Sequence, residues 1–300
     1  MKFLSRITRM SLPVALVLSV VVLCGWIPSF FIADWRQVLP TLLLAVVNGA
    51  LFWYLIVCAR LTRDRDGLPL FIYLLSVTVF PVYHVCWQGQ TAVVCMLLLL
   101  LLLRKAFREE EPTENAFVAT LLLLGASLVL PDMVWLIPVV WIAYILLHSF
   151  GLRVWLATLI GAVVFAIYFL LVWYLGWIEN AYSRIFERAW LFSVLPLSEA
   201  VEECLLIGIG VVLFVASLLR TDRDSTEQQN WLLLFTLFFI VASGLVLFPM
   251  RTTVGCASLF PMVQLLFAGL WVLFFRQRES AARGIMYIIG IILLAVCYWI

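Results

Sequence analysis

Brief charged clusters cut this chain into apolar runs that no soluble core could absorb. Between Asp66 and Arg104 there is no Asp, Glu, Lys or Arg, and Leu97–Leu103 is an unbroken run of leucine. About 18 uncharged apolar residues in a row are already enough to cross the hydrocarbon of a bilayer as a helix. Composition agrees: 66% of the 300 residues are hydrophobic and 12% are charged, with a mean hydropathy of +1.15. A soluble domain carries about 45–50% apolar and about 25% charged residues. With lipid as the solvent, backbone N–H and C=O groups must pair within the chain, which leaves helices or a closed barrel. Long Leu/Val/Ile/Phe runs without turn signals lack the alternation of barrel strands. The expected fold is therefore all-α, a polytopic transmembrane helical protein forming one integral membrane domain over 1–300.

Eleven spans are expected, near 11–33, 38–59, 68–86, 88–103, 115–131, 133–149, 154–177, 201–219, 231–248, 259–275 and 284–300. The opening "MKFLSRITRM" has the basic residues of a signal peptide, but "CGWIPSFF" offers no small-x-small cleavage site, so the segment reads as an uncleaved signal-anchor. The pair 115–131 and 133–149 is short and joined only by Pro131 and Asp132. A re-entrant hairpin is the alternative there, and both readings return the chain to the same side.

Orientation follows from Lys and Arg. With the N-terminus cytoplasmic, fifteen of the 19 basic residues fall inside, and Arg36, Arg184, Arg188 and Arg251 fall outside. The C-terminus is then periplasmic. The near-repeat "TRDRD" at 62–66 and "TDRD" at 221–224 lies in cytoplasmic loops and acts as a topology determinant. A parallel duplication of the two halves is left open by the same pattern.

Several classes of chemistry have no foothold. There is no P-loop, dinucleotide glycine pattern or kinase signature. The 7 cysteines form no C-x-x-C pair and read as small apolar packing residues. His84 and His148 fall at opposite membrane faces without a ligand at i+3 or i+4, and read as interfacial polar residues. No cofactor, metal or catalytic residue is assigned.

The outer face holds the candidate site. Residues 178–190, "IENAYSRIFERAW", put Tyr182, Phe186 and Trp190 on one helical stripe and Glu179, Arg184, Glu187 and Arg188 on the other. That is the pattern of an interfacial amphipathic helix within a periplasmic segment, 178–200. Glu199, Glu202 and Glu203 open the eighth span, with Ser198 as a candidate N-cap. Asp132 sits in the tight turn "LPDMVW", and Asp34 and Arg36 follow the first span. A carboxylate near hydrocarbon must be hydrated, paired or protonated. The candidate substrate-binding set is thus Asp34, Arg36, Asp132, Arg184, Glu187, Arg188, Glu202 and Glu203. The plainer account of each is a cap, an aromatic-anchored connector or an exposed acid marking the outer side.

The stretches "NGALFWYLIVCARLTRDRDGLPLFIYLL" and "GASLVLPDMVWLIPVVWIAYILLHSFGLRVWLATLIGAVV" resemble an uncharacterised family of polytopic inner-membrane proteins of the Bacteroidetes lineage. Gly67-Leu68-Pro69 stands at that family's turn before the third span, and Arg153-Val154-Trp155 with Gly161 matches a second pattern. Phe165 stands where the family has a proline. The resemblance implies a Gram-negative inner membrane and brings no activity with it.

The expected function is that of a multi-pass inner-membrane protein. It would act as a non-enzymatic subunit or a lipid- or solute-handling component of envelope biogenesis. One alternative is an enzyme like the C-type glycosyltransferases, which use polyprenol-linked sugars and carry an outer acid where Asp34 stands. A secondary transporter is the other, although no discontinuous Gly/Pro helix pair is evident. Expected partners are membrane lipids, then other envelope membrane proteins or a lipid-linked substrate, and no nucleic acid.

Overall fold

The structure, a computed structural model, describes residues 12–61, 67–108, 112–147, 151–175, 197–218, 226–247 and 259–275. Among them there are helices and short 3-10 turns, and no strand. The helices are α1 (Leu12–Leu23), α2 (Ile27–Ile32), α3 (Trp35–Cys58), α4 (Leu68–Thr78) and α5 (Trp87–Arg108). They continue as α6 (Thr113–Ser127), α7 (Leu136–Leu146), α8 (Leu152–Tyr174), α9 (Leu197–Leu218), α10 (Thr226–Leu247) and α11 (Phe260–Phe275). Five segments are long and apolar enough to cross a membrane: Ala15–Ile32, Trp35–Cys58, Trp87–Ala106, Leu152–Tyr174 and Gln229–Leu247.

Local chemistry sets the helix ends. Asp34 caps α3, its Oδ1 accepting from the Arg36 amide at 3.0 Å, which satisfies one of the first turn's free donors. At the other end Arg60 takes φ 53°, and the amides of Arg60 and Leu61 return to the carbonyls of Val57 and Ile56. This is a Schellman closure with arginine in the left-handed position that usually takes glycine. Pro69 lies in the first turn of α4, where its missing N–H costs no helical bond.

The expected span 68–86 is not one helix. It stops at Thr78, and after Phe80 the chain enters a 3-10 turn, Pro81–Val85, before α5. A proline cannot continue the ladder, which ends α4 after 11 residues. The first span is likewise interrupted by a 3-10 turn, Cys24–Trp26, ahead of Pro28. Helices α6 and α7, at 15 and 11 residues, are short for a bilayer and are joined through a third 3-10 turn, Pro131–Trp135.

Helix α11 is the axis of the described bundle. It packs against α4, α5, α9 and α10, and Phe260 through Leu270 are all buried. Helix α4 is almost as enclosed, between α1, α3 and α11. Small residues permit the closest approaches: a Cβ on Gly49 would lie 2.9 Å from Leu70 Cδ1, and one on Gly269 would collide with the Phe235 ring. Helix α8 sits at the periphery against α6, buried only at Val154, Thr158 and Gly161. Buried threonines satisfy themselves locally, Thr41, Thr120 and Thr236 each donating to the carbonyl one turn back.

Candidate functional site

Of the outer-face set, the side chains of Asp34, Arg36 and Asp132 are described. Asp34 and Arg36 are exposed at the start of α3 and are joined by the capping bond; the Arg36 guanidinium carbon lies 5.8 Å from the Trp35 ring centroid. This gives the two a local structural role at the helix end. Asp132 lies in the Pro131–Trp135 turn, which packs on α6 and α7. It is 6% exposed, its Oδ1 has no hydrogen-bond partner, and burial pushes its carboxyl up to about 6. Glu202 and Glu203 lie on α9, which is described from Leu197 and includes Ser198. Their side chains, the segment 178–190 with Arg184, Glu187 and Arg188, both Asp-Arg-Asp clusters and His148 lie outside the described residues.

What the structure assembles instead is a band of neutral polar side chains around α4. Asn48 of α3 donates from Nδ2 to the main-chain carbonyl and to Oε1 of Gln90 on α5, both at 2.9 Å. The Tyr73 hydroxyl of α4 donates to the same Oε1 at 2.9 Å. Three helices thus meet on one amide oxygen. One turn along α4, the Ser76 carbonyl accepts from Gln264 Nε2 of α11 at 3.1 Å. All four side chains, Asn48, Tyr73, Gln90 and Gln264, are fully enclosed. Asn48 Oδ1, Gln90 Nε2 and Gln264 Oε1 keep no protein partner.

A second polar cluster closes the far end of α4. Ser29 Oγ lies 2.6 Å from His84 Nδ1, and the His84 ring stacks on Trp26 at 3.7 Å with 8° between the planes. Trp26 Nε1 donates to Thr78 Oγ1 at 3.0 Å. His84 is fully buried among protein atoms. Nε2 has no well-aligned hydrogen bond. The cluster fastens the Pro81–Val85 turn to α2, and Tyr83 and Phe80 extend it onto Phe260 of α11.

These groups offer hydrogen bonds, not charge. Two free amide oxygens and one free amide nitrogen, enclosed in a low-dielectric interior, are an acceptor pair and a donor whose hydrogen-bonding capacity the protein leaves unused. Among the described residues no group of three His, Cys, Asp or Glu side chains is placed to hold a metal. A lone Asn or Gln in an apolar run was the available sequence signal, because in lipid such a side chain turns toward protein. Comparison with family models, with curated proteins and with solved structures finds no match.

Proposed function

We infer that this chain is a multi-pass inner-membrane protein that handles a lipid or neutral solute as a non-enzymatic component of the cell envelope. The observation that carries the reading is the uncharged, enclosed hydrogen-bonding band of Asn48, Tyr73, Gln90 and Gln264, which retains unused donor and acceptor atoms. Such a band suits binding of a hydroxyl- or amide-bearing group more than ion coupling, which needs charge at depth. Asp34, the acid that the transferase alternative would use, spends one carboxylate oxygen on capping α3, which supports the plainer structural account of it. The proposed arrangement has eleven crossings, a cytoplasmic N-terminus and a periplasmic C-terminus, supported by the partition of Lys and Arg. An inner-membrane location follows from the family resemblance.

Purification in mild detergent, with mass spectrometry of co-purifying proteins and lipids, tests the function. A reproducibly bound lipid, solute or partner protein supports it. A bound polyprenol phosphate with turnover of a lipid-linked sugar would replace it with the transferase reading. Reporter fusions after residues 108, 190, 225 and 280 should read inside, outside, inside and inside; an inside signal at 190 overturns the topology of the C-terminal half.

A further inference from the structure

Two of the 3-10 turns share one build and differ in how they are held. Each spans five residues opened by proline, Pro81–Val85 and Pro131–Trp135, and each carries the chain from one helix into the next. The residue before each proline is drawn out, Phe80 at φ −113° and ψ 85°, Leu130 at φ −133° and ψ 103°. The amides of Tyr83 and Met133 return to the carbonyls of Phe80 and Leu130, both at 3.1 Å. Side chains pin the first turn: Ser29 Oγ lies 2.6 Å from His84 Nδ1, and Trp26, stacked on that ring, donates to Thr78. The second turn has Asp132 directly after its proline. This residue is 6% exposed, and its Oδ1 has no hydrogen-bond partner. Apolar contact seats the turn on α6 and α7, with Leu130, Met133 and Leu136 buried and Val134 and Trp135 exposed.

A carboxylate sealed there meets no compensating charge on the helices packed against it. The turn has no other ionisable side chain. Helix α6 carries Glu114 alone, in its first turn at the far end, and α7 carries only Tyr144, two turns beyond Leu136. Asp132 is stable neutral and seated, or ionised and hydrated, but an ionised carboxylate without a partner in the seat is costly. Burial accordingly lifts its carboxyl from 3.8 to about 6. The seated turn therefore holds the extra proton between those values. Its advantage is complete below 3.8 and falls about tenfold per pH unit until about 6. A proton needs only the open edge of the residue to arrive.

We propose that the Pro131–Trp135 turn is a proton-controlled latch on the α6–α7 hairpin, seated on the two helices while Asp132 is neutral and lifted off them when Asp132 ionises. The extended link at Leu130 is the hinge, so lifting the turn breaks neither helix. The latch rests on neither the solute-handling reading nor the orientation proposed above.

Hydrogen exchange read by mass spectrometry tests it, on the full chain in neutral detergent between pH 4 and 7, corrected for the intrinsic pH dependence of exchange. The amides of Met133, Val134 and Trp135 should lose protection about a hundredfold across that range, while those of α11 keep theirs. Asp132→Asn, which stays neutral, should hold the acid level of protection throughout. Unchanged protection in the wild type overturns the latch, as does an equal loss in Asp132→Asn. An equal loss in α11 would assign the effect to unfolding of the bundle and overturns it too. Should Asp132→Asn fail to fold, the wild type grown with carboxyl-labelled aspartate decides the matter. The infrared stretch of its buried neutral acid should disappear with the same midpoint as the protection of the turn; midpoints about one pH unit or more apart reject the latch.

Discussion

Helices α8 and α5 have opposite places in this protein, and hydropathy alone would assign them wrongly. Helix α8 is the most apolar of the five long segments, yet only 17% of it is buried, whereas Trp87–Ala106 is the least apolar and 56% buried. In water this order would be reversed. In lipid the hydrocarbon is as good a neighbour for Leu or Val as another helix is, so apolar content does not draw a helix inward. Polar and small side chains do. Gln90 pulls α5 to Asn48 and Tyr73. On α8 the contact stripe is just Val154, Thr158 and Gly161, with Trp141 Nε1 donating to Thr158 at 3.2 Å. Ile167, Tyr168, Leu170 and Tyr174, farther along α8, are exposed.

The comparison breaks most readily at the close approaches of the interior. Gly269→Val would drive a side chain into the buried Phe235 ring and should cost about 1–3 kcal/mol, with loss of the folded form in detergent melts. Gly161→Val on α8 should cost less, because its neighbours Phe117 O and Thr120 Cβ stand at 3.3 Å and the helix can lean into lipid. Equal destabilisation by the two would mean that α8 is as firmly packed as α11.

Next in size is the shared amide oxygen. Gln90→Leu leaves Tyr73 without its acceptor and Asn48 with only the main-chain carbonyl of residue 90, and should lower stability by about 1–3 kcal/mol. Tyr73→Phe removes one donor alone and should cost about 0.6–1.7 kcal/mol. A polar substitution on the open side of α8, such as Ile167→Gln, should leave thermal stability in detergent near the wild-type value. If Gln90→Leu were neutral there, the band would not be what holds α5 inward.

One buried titrating group in a turn gives a pH slope of up to about 1.4 kcal/mol per pH unit. Asp132 rises from 3.8 to about 6, so the folded chain holds the extra proton and stability drops as pH rises through that window. Melting curves between pH 4 and 7 should show the wild type losing stability with rising pH, and Asp132→Asn should flatten the profile. Identical profiles for the two would remove Asp132 from the buried state.

The smallest effect is expected at the end of α3. Arg60→Gly relieves a left-handed arginine and should raise stability by up to about 1 kcal/mol in detergent melts.

Membrane character, the helical class and the positions of most helices were legible in the sequence, because hydrophobic run length answers directly to bilayer thickness. The caps were legible as well: Asp34 before Trp35, and Pro69 in a first turn, are local rules needing no partner. The interior was not. Nothing near His84 in the chain announces Ser29 and Trp26, which lie more than fifty residues earlier in sequence and meet it only because α2 and the Pro81–Val85 turn pack together. Gln264 finds the Ser76 carbonyl across 188 residues by the same route. Attention to charge drew the reading toward the outer acids, of which Asp132 is enclosed and Asp34 exposed, while the other polar side chains enclosed in protein among the described residues are amides, hydroxyls and an imidazole. The sequence determined which segments lipid would accept, since that is a property of each segment by itself. Which face of each helix turns away from lipid was decided by tertiary structure, because a polar group in hydrocarbon is satisfied only by whatever the rest of the chain brings to it.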